Sequence, residues 1–304
     1  MANTKVCPVC RRLVGEDAEW CPYCGARLAI DQGPVPSPAQ APPQYQQQWQ
    51  QPMGQQAGPR DTSPKGRIIE AVRSRSQSDE VISEIWAFLP IISVIIVGIV
   101  AGVLIVTTDP VTMTLASVGA SIIATALLVI LLYRLFKRNN NHTRREAMLR
   151  VAMIDHIKAR AVETGSSQKL SPQIQTMESI NYESMVNEPE RSAVLWAVLP
   201  IVPVVGWIFF LIALYYLTSY APAHDRRWHA FTQQTQSAGS QLGMTMILPS
   251  WKTLPERSFI IYLILTIVTF GIFIIYWYYV LIKDMNEHYR TQWQFEDQLL
   301  GELQ

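Results

Sequence analysis

Four long apolar stretches of this chain contain no Asp, Glu, Lys, Arg or His. Residues 85–108 and 110–133 run 24 each, residues 258–282 run 25, and residues 192–223 run 32. Roughly 20 apolar residues cross the hydrocarbon core of a bilayer. The pattern therefore predicts an all-α membrane bundle and excludes a fully soluble protein. Only 16% of the chain is charged, against roughly 25% in an ordinary soluble domain. The net charge of +1 argues against a polymer-binding protein, which needs clustered positive charge.

Residues 1–30 lack the apolar core of a signal peptide, and charges and cysteines begin at once, which predicts a cytoplasmic amino terminus. Residues 31–66 hold ten Gln and eight Pro with almost no aliphatic side chains, the composition of a disordered linker. Five Lys and Arg occur in residues 60–84, eight in residues 134–160, and none at Asp109-Pro110. Both ends of the first hairpin should then face the cytoplasm, with Pro110 at the turn.

The expected division is a zinc ribbon at 1–30, a linker at 31–66 and a transmembrane hairpin at 67–164. Its spans are placed at about 85–108 and 111–136, with flanking amphipathic helices. Residues 67–84 mix apolar and charged side chains, as in a helix lying on the membrane surface. Met148, Val151, Ile154, Ile157 and Ala161 mark a helical stripe over 143–164. A polar loop is expected at 165–189. A second apolar repeat with its exit helix follows at 190–250, and a third with a C-terminal helix at 255–304.

The repeats rest on three correspondences. Pro-Glu-Arg-Ser occurs at 189–192 and at 255–258. Trp86-Ala-Phe-Leu-Pro90 resembles Trp196-Ala-Val-Leu-Pro200. At the exits, Tyr133, Tyr215 and Tyr279 are each followed nine residues later by His-x-Arg, at His142, His224 and His288. Three matches in one order argue for three copies of one unit: an apolar segment, an aromatic exit and a polar helix. Copies two and three are long for one span and short for two. They are single tilted helices or shallow hairpins bent at Pro200, Pro203, Gly206 and Gly271; four Lys and Arg in residues 221–257 against two in 283–304 favour the hairpins.

The exit histidines admit two readings. They converge on a second metal ion or on lipid phosphates beside Arg144, Arg226 and Arg290, or they form an ordinary belt at headgroup depth. The belt is the expectation, as it is for Tyr276-Trp277-Tyr278-Tyr279.

The sharpest motif is Cys7-Pro-Val-Cys10 with Cys21-Pro-Tyr-Cys24-Gly25. Two such knuckles supply Cys7, Cys10, Cys21 and Cys24 as four thiolates for one structural Zn2+. Iron has the same four-thiolate geometry and stays open as an alternative. Residues 5–28 resemble the short zinc-ribbon module, two Cys knuckles with short β structure, found at the start of many prokaryotic membrane proteins. Arg11 departs from the Gly usual after the first knuckle. Such modules are structural. Residues 1–31 have balanced charge, so nucleic acid is not an expected partner, whereas Trp20 and Tyr23 suit protein contacts.

Thr269-Phe-Gly271-Ile272-Phe273, Tyr276-Trp277 and then Asp284-Met-Asn286 resemble a prokaryotic membrane-domain family of unknown function, number 4234. Phe273 stands where that family's pattern has Tyr. The resemblance implies a membrane-embedded domain over about 255–290 and no known chemistry.

The apolar stretches hold no ionisable residue, and the sequence shows no nucleophile–base motif. The expectation is a non-enzymatic, multi-pass protein of the cytoplasmic membrane. Its partners are the bilayer, a cytoplasmic protein bound through the ribbon, and further copies of itself. A bundle acting as a small-solute pore or bilayer-shaping wedge is the alternative.

Overall fold

The computed structural model describes residues 4–6, 13–15, 61–107, 110–245, 248–249 and 251–303. The chain divides into two units, residues 1–55 and 56–304. In the first, β1 (Thr4–Val6) pairs antiparallel with β2 (Leu13–Gly15), Thr4 opposite Gly15 and Val6 opposite Leu13. Cys7, Cys10, Cys21, Cys24 and linker residues 31–60 lie outside the described residues.

The regular elements described in the second unit are all helices. It contains α1 (Pro64–Arg73), the short α2 (Arg75–Ser78), α3 (Leu89–Thr107) and α4 (Pro110–Glu163). Then follow α5 (Ser167–Asn187), α6 (Ala193–Val198), α7 (Gly206–Gln241), α8 (Phe259–Val268) and α9 (Ile274–Leu303). The repeats are visible as three helical hairpins, α3–α4, α6–α7 and α8–α9. In each, the entry packs against the exit. Arg134 of α4 lies 4.1 Å over the Trp86 ring, Arg191 lies 4.1 Å over Tyr216, and Phe259 meets Trp277.

The Ser of Pro-Glu-Arg-Ser is a helix cap. Ser192 accepts from Leu195 N at 3.2 Å and Ser258 from Ile261 N at 3.3 Å, satisfying amides that a helix start leaves free. The Glu of the motif ties neighbouring copies together. Glu190 pairs with Arg144 of the first His-x-Arg at 2.7 Å, and Glu256 with Arg226 of the second.

The two inner hairpin tips need special backbone. Val204 and Phe270 adopt positive φ, as does Gly271. A Cβ on Gly206 would lie 2.2 Å from the carbonyl oxygen of Pro200, so only glycine lets the chain cross itself there.

Exposure divides the unit into two ends. Ile95, Ile99, Leu115, Ile122, Val204, Trp207, Ile264, Val268 and Phe270 are all exposed. Lone apolar residues on a surface need no explanation, but a contiguous field of them marks a lipid or protein contact. The charge-free half of α4 and the start of α7 carry this field, and both helices are long and apolar enough to cross a membrane. These are the surfaces of a membrane protein.

At the other end the helices bury one another. One core gathers Leu131, Leu135, Leu214, Leu217, Trp277 and Leu281 near the apolar end. A second gathers Ile68, Leu149, Met153, Met177, Trp228, Phe231, Phe295 and Leu299. Each exit helix meets the first core before the second, so α4, α7 and α9 run side by side in one direction away from the apolar end.

Several expectations change. Residues 167–187, expected as a polar loop, form α5, because Leu170, Met177, Asn181 and Ser184 lie on one buried stripe. The helix of 143–164 is the continuation of α4, which runs 54 residues without a break. The apolar face of α1, Ile68 and Val72, joins the second core instead of lying on lipid. Trp277 and Tyr278 are buried and Tyr279 half-buried, leaving Tyr276 the exposed member of that quartet.

Candidate metal centre

Between the two cores lies a polar layer built from the three exits. His142 and Glu146 come from α4, one turn apart on one face, His224 from α7 and His288 from α9. All four side chains are buried. The belt expected for these histidines is therefore replaced by convergence. Nine residues of helix carry each one about 13 Å past its exit Tyr, and there it turns inward.

One ligand atom from each of the four lies within 4.8 Å of all the others. His142 Nε2 is 3.0 Å from His224 Nε2. Glu146 Oε2 is 3.3 Å from His142 Nε2, 3.0 Å from His224 Nε2 and 4.0 Å from His288 Nε2. Glu146 Oε2 and His288 Nε2 are buried without a hydrogen-bond partner. The other carboxylate oxygen of Glu146 is held by Arg150.

Each histidine presents its second nitrogen to a buried carboxylate. Asp79 Oδ1 lies 2.9 Å from His142 Nδ1, Glu188 Oε2 2.8 Å from His224 Nδ1, and Asp225 Oδ1 2.8 Å from His288 Nδ1. Those carboxylates are saturated by further donors. Asp79 accepts from Arg145 at 2.7 and 3.1 Å, from Trp293 at 2.8 Å and from Ser78 at 2.8 Å. Glu188 accepts from Arg227 at 2.7 Å. Asp225 accepts from Trp251 at 3.2 Å and from the Leu254 amide at 2.9 Å.

Burial lowers the pKa of His142 to about 4 against the opposing pull of Asp79, and burial does the same for His288, also to about 4. Burial alone would raise Asp79 and Glu188. The facing imidazoles and arginines outweigh it and hold both well below the usual carboxylate range. Asp79 and Glu188 are thus ionised, and His142 and His288 uncharged.

Arg257 and Asp284 form a two-pronged ion pair, both contacts at 3.0 Å, that locks the entry of α8 to α9. Asn286 joins the third copy to the first: Nδ2 donates to the Ile82 carbonyl at 2.8 Å, and Oδ1 accepts from the Ile82 amide at 3.3 Å and from Arg138 at 3.2 Å. Asp284 and Asn286 are therefore joints of the scaffold, and His288 two residues on is the third corner of the polar layer.

Residues 257–297 match the family described as Domain of unknown function (DUF4234). That stretch begins at the Arg257 of the ion pair and includes Asp284, Asn286 and His288. No curated protein and no solved structure matches the chain. Sequence spacing exposed the three histidines but not Glu146, although a carboxylate one turn after His142 was the available signal. Asp79, Glu188 and Asp225 were missed because they reach the histidines only through the tertiary packing.

Proposed function

We propose that the chain is a non-enzymatic, multi-pass protein of the cytoplasmic membrane, with its amino terminus in the cytoplasm. The lipid-embedded hairpins anchor the polar bundle, and residues 1–30 form a zinc ribbon, one Zn2+ on Cys7, Cys10, Cys21 and Cys24, that recruits a cytoplasmic protein. The partition of exposed apolar surface to one end and buried polar layers to the other carries the membrane part of this reading. The cysteine knuckles and the Pro/Gln-rich leash support the recruiting part.

Single cysteines at Val204, Phe270 and Ser237, introduced with the four native cysteines changed to Ser, test the topology. A membrane-impermeant maleimide should label Ser237→Cys only after the membrane is opened, and should leave Val204→Cys and Phe270→Cys unlabelled within lipid. Labelling of Ser237→Cys in intact cells would overturn the orientation.

A second reading is favoured by one dimension. The ten residues of α8 reach only about 15 Å, half of a roughly 30 Å hydrocarbon core. Hairpins of that depth occupy one leaflet, as a bilayer-bending wedge would. Reconstitution into vesicles decides it: a wedge converts spherical liposomes to tubules, and an anchor leaves them round.

A further inference from the structure

Proton accounting in the polar layer leads to a cation. Asp79, Glu188 and Asp225 can only accept hydrogen bonds when ionised. Each therefore requires a proton on the Nδ1 it faces, at 2.8–2.9 Å. A neutral imidazole with its proton on Nδ1 has a bare lone pair on Nε2. The Nε2 atoms of His142, His224 and His288 and the Oε2 of Glu146 all lie within 4.8 Å of one another, with four of the pairs at 3.0, 3.0, 3.3 and 4.0 Å. Glu146 Oε2 and His288 Nε2 are buried there without a hydrogen-bond partner, so polar atoms are gathered away from water and forgo solvation. A positive ion at their centre removes that cost.

We propose that Nε2 of His142, His224 and His288 and Oε2 of Glu146 bind one divalent transition-metal ion, zinc by its donor set, which clamps the exit helices of the three repeats to one another. Zn2+ takes imidazole nitrogen and carboxylate oxygen at about 2.0–2.1 Å. A tetrahedron of that radius spaces its corners about 3.3 Å apart. Three edges, at 3.0, 3.0 and 3.3 Å, lie close to that spacing, the edge from Glu146 to His288 is 4.0 Å, and all four atoms lie within 4.8 Å of one another. The carboxylate behind each imidazole is the arrangement that fixes tautomer and ring orientation and raises ligand basicity. With four protein ligands, all buried, the ion has no open position for substrate, so its task is structural. This inference is independent of the amino-terminal ribbon.

The test uses the full-length, untagged chain in detergent with Cys7, Cys10, Cys21 and Cys24 changed to Ser, so that no thiolate remains. Elemental analysis should find one zinc per chain, and Glu146→Gln or His288→Ala should take it to none. Cobalt substitution should give visible ligand-field bands without thiolate charge transfer. A cysteine-free chain that is helical by circular dichroism yet holds no metal, and takes up neither zinc nor cobalt, overturns the proposal. Should the cysteine-free chain not fold, the cobalt-loaded wild type decides: two spectrally distinct sites support the proposal, and thiolate sites alone refute it.

Discussion

The Nε2 atoms of His142 and His224 stand 3.0 Å apart although 82 residues separate them in the chain. Both are held by buried carboxylates on their far side, so neither ring is free to turn away. The position of each ligand is thus set by a residue that does not itself face the cluster.

That arrangement makes the outer carboxylates as informative as the ligands. Asp225 receives His288 Nδ1, the Trp251 indole and the Leu254 amide. Asp225→Asn keeps the shape but removes the charge that orients the ring. Zinc affinity should fall by roughly 10- to 100-fold, measured by competition with a chromophoric chelator. Unchanged affinity would show that His288 is oriented by packing alone.

The third hairpin should depend on the ion pair at its base. Arg257→Ala leaves Asp284 buried without its two-pronged partner, a change that costs about 3 kcal/mol. Arg257→Lys should recover part of that, because an ammonium cannot reproduce the fork. Denaturant unfolding in mild detergent, followed by tryptophan fluorescence, measures both.

Two substitutions at one tip should act in opposite directions. Val204 holds a β-branched side chain at φ 68° and is exposed, so Val204→Gly should stabilise by about 1 kcal/mol. Gly206→Ala should destabilise, since its Cβ would collide with backbone at 2.2 Å. Thermal unfolding midpoints of the two variants should bracket the wild type.

Much of this architecture could be read in advance, and the failures have physical causes. The Ser of each Pro-Glu-Arg-Ser caps a helix and each His-x-Arg lies on a long one, so these motifs were legible because capping and helix-face residues are local features. The helix at 167–187 is hard to read in the sequence because its polar composition hides a sparse stripe, Leu170, Met177 and Ser184. The face of α1 was assigned to lipid because a sequence cannot distinguish a bilayer from the apolar side of Met153 and Ile157. Spacing placed each histidine on a helix face but could not say that three such faces meet.

His156 supplies a pH dependence away from the polar layer. Half-buried, it has its pKa lowered from 6.5 by burial first and by Arg160 second, with Glu163 opposing and Lys65 adding slightly. The unfolded chain therefore binds this proton more readily than the folded one. Its contribution to stability is complete above about pH 6.5 and declines as pH falls through that value. His156→Gln should flatten the fall in unfolding midpoint between neutral and mildly acidic buffer by a small amount. An unaltered slope would show that His156 titrates alike in both states.

The unbroken 54 residues of α4 make a rod of about 80 Å with one part in lipid and the remainder in the polar bundle. Such a rod has no hinge at which the two parts could move independently. Any tilt imposed at the apolar end is therefore carried whole to the polar end, and the two ends of the helix turn as one lever.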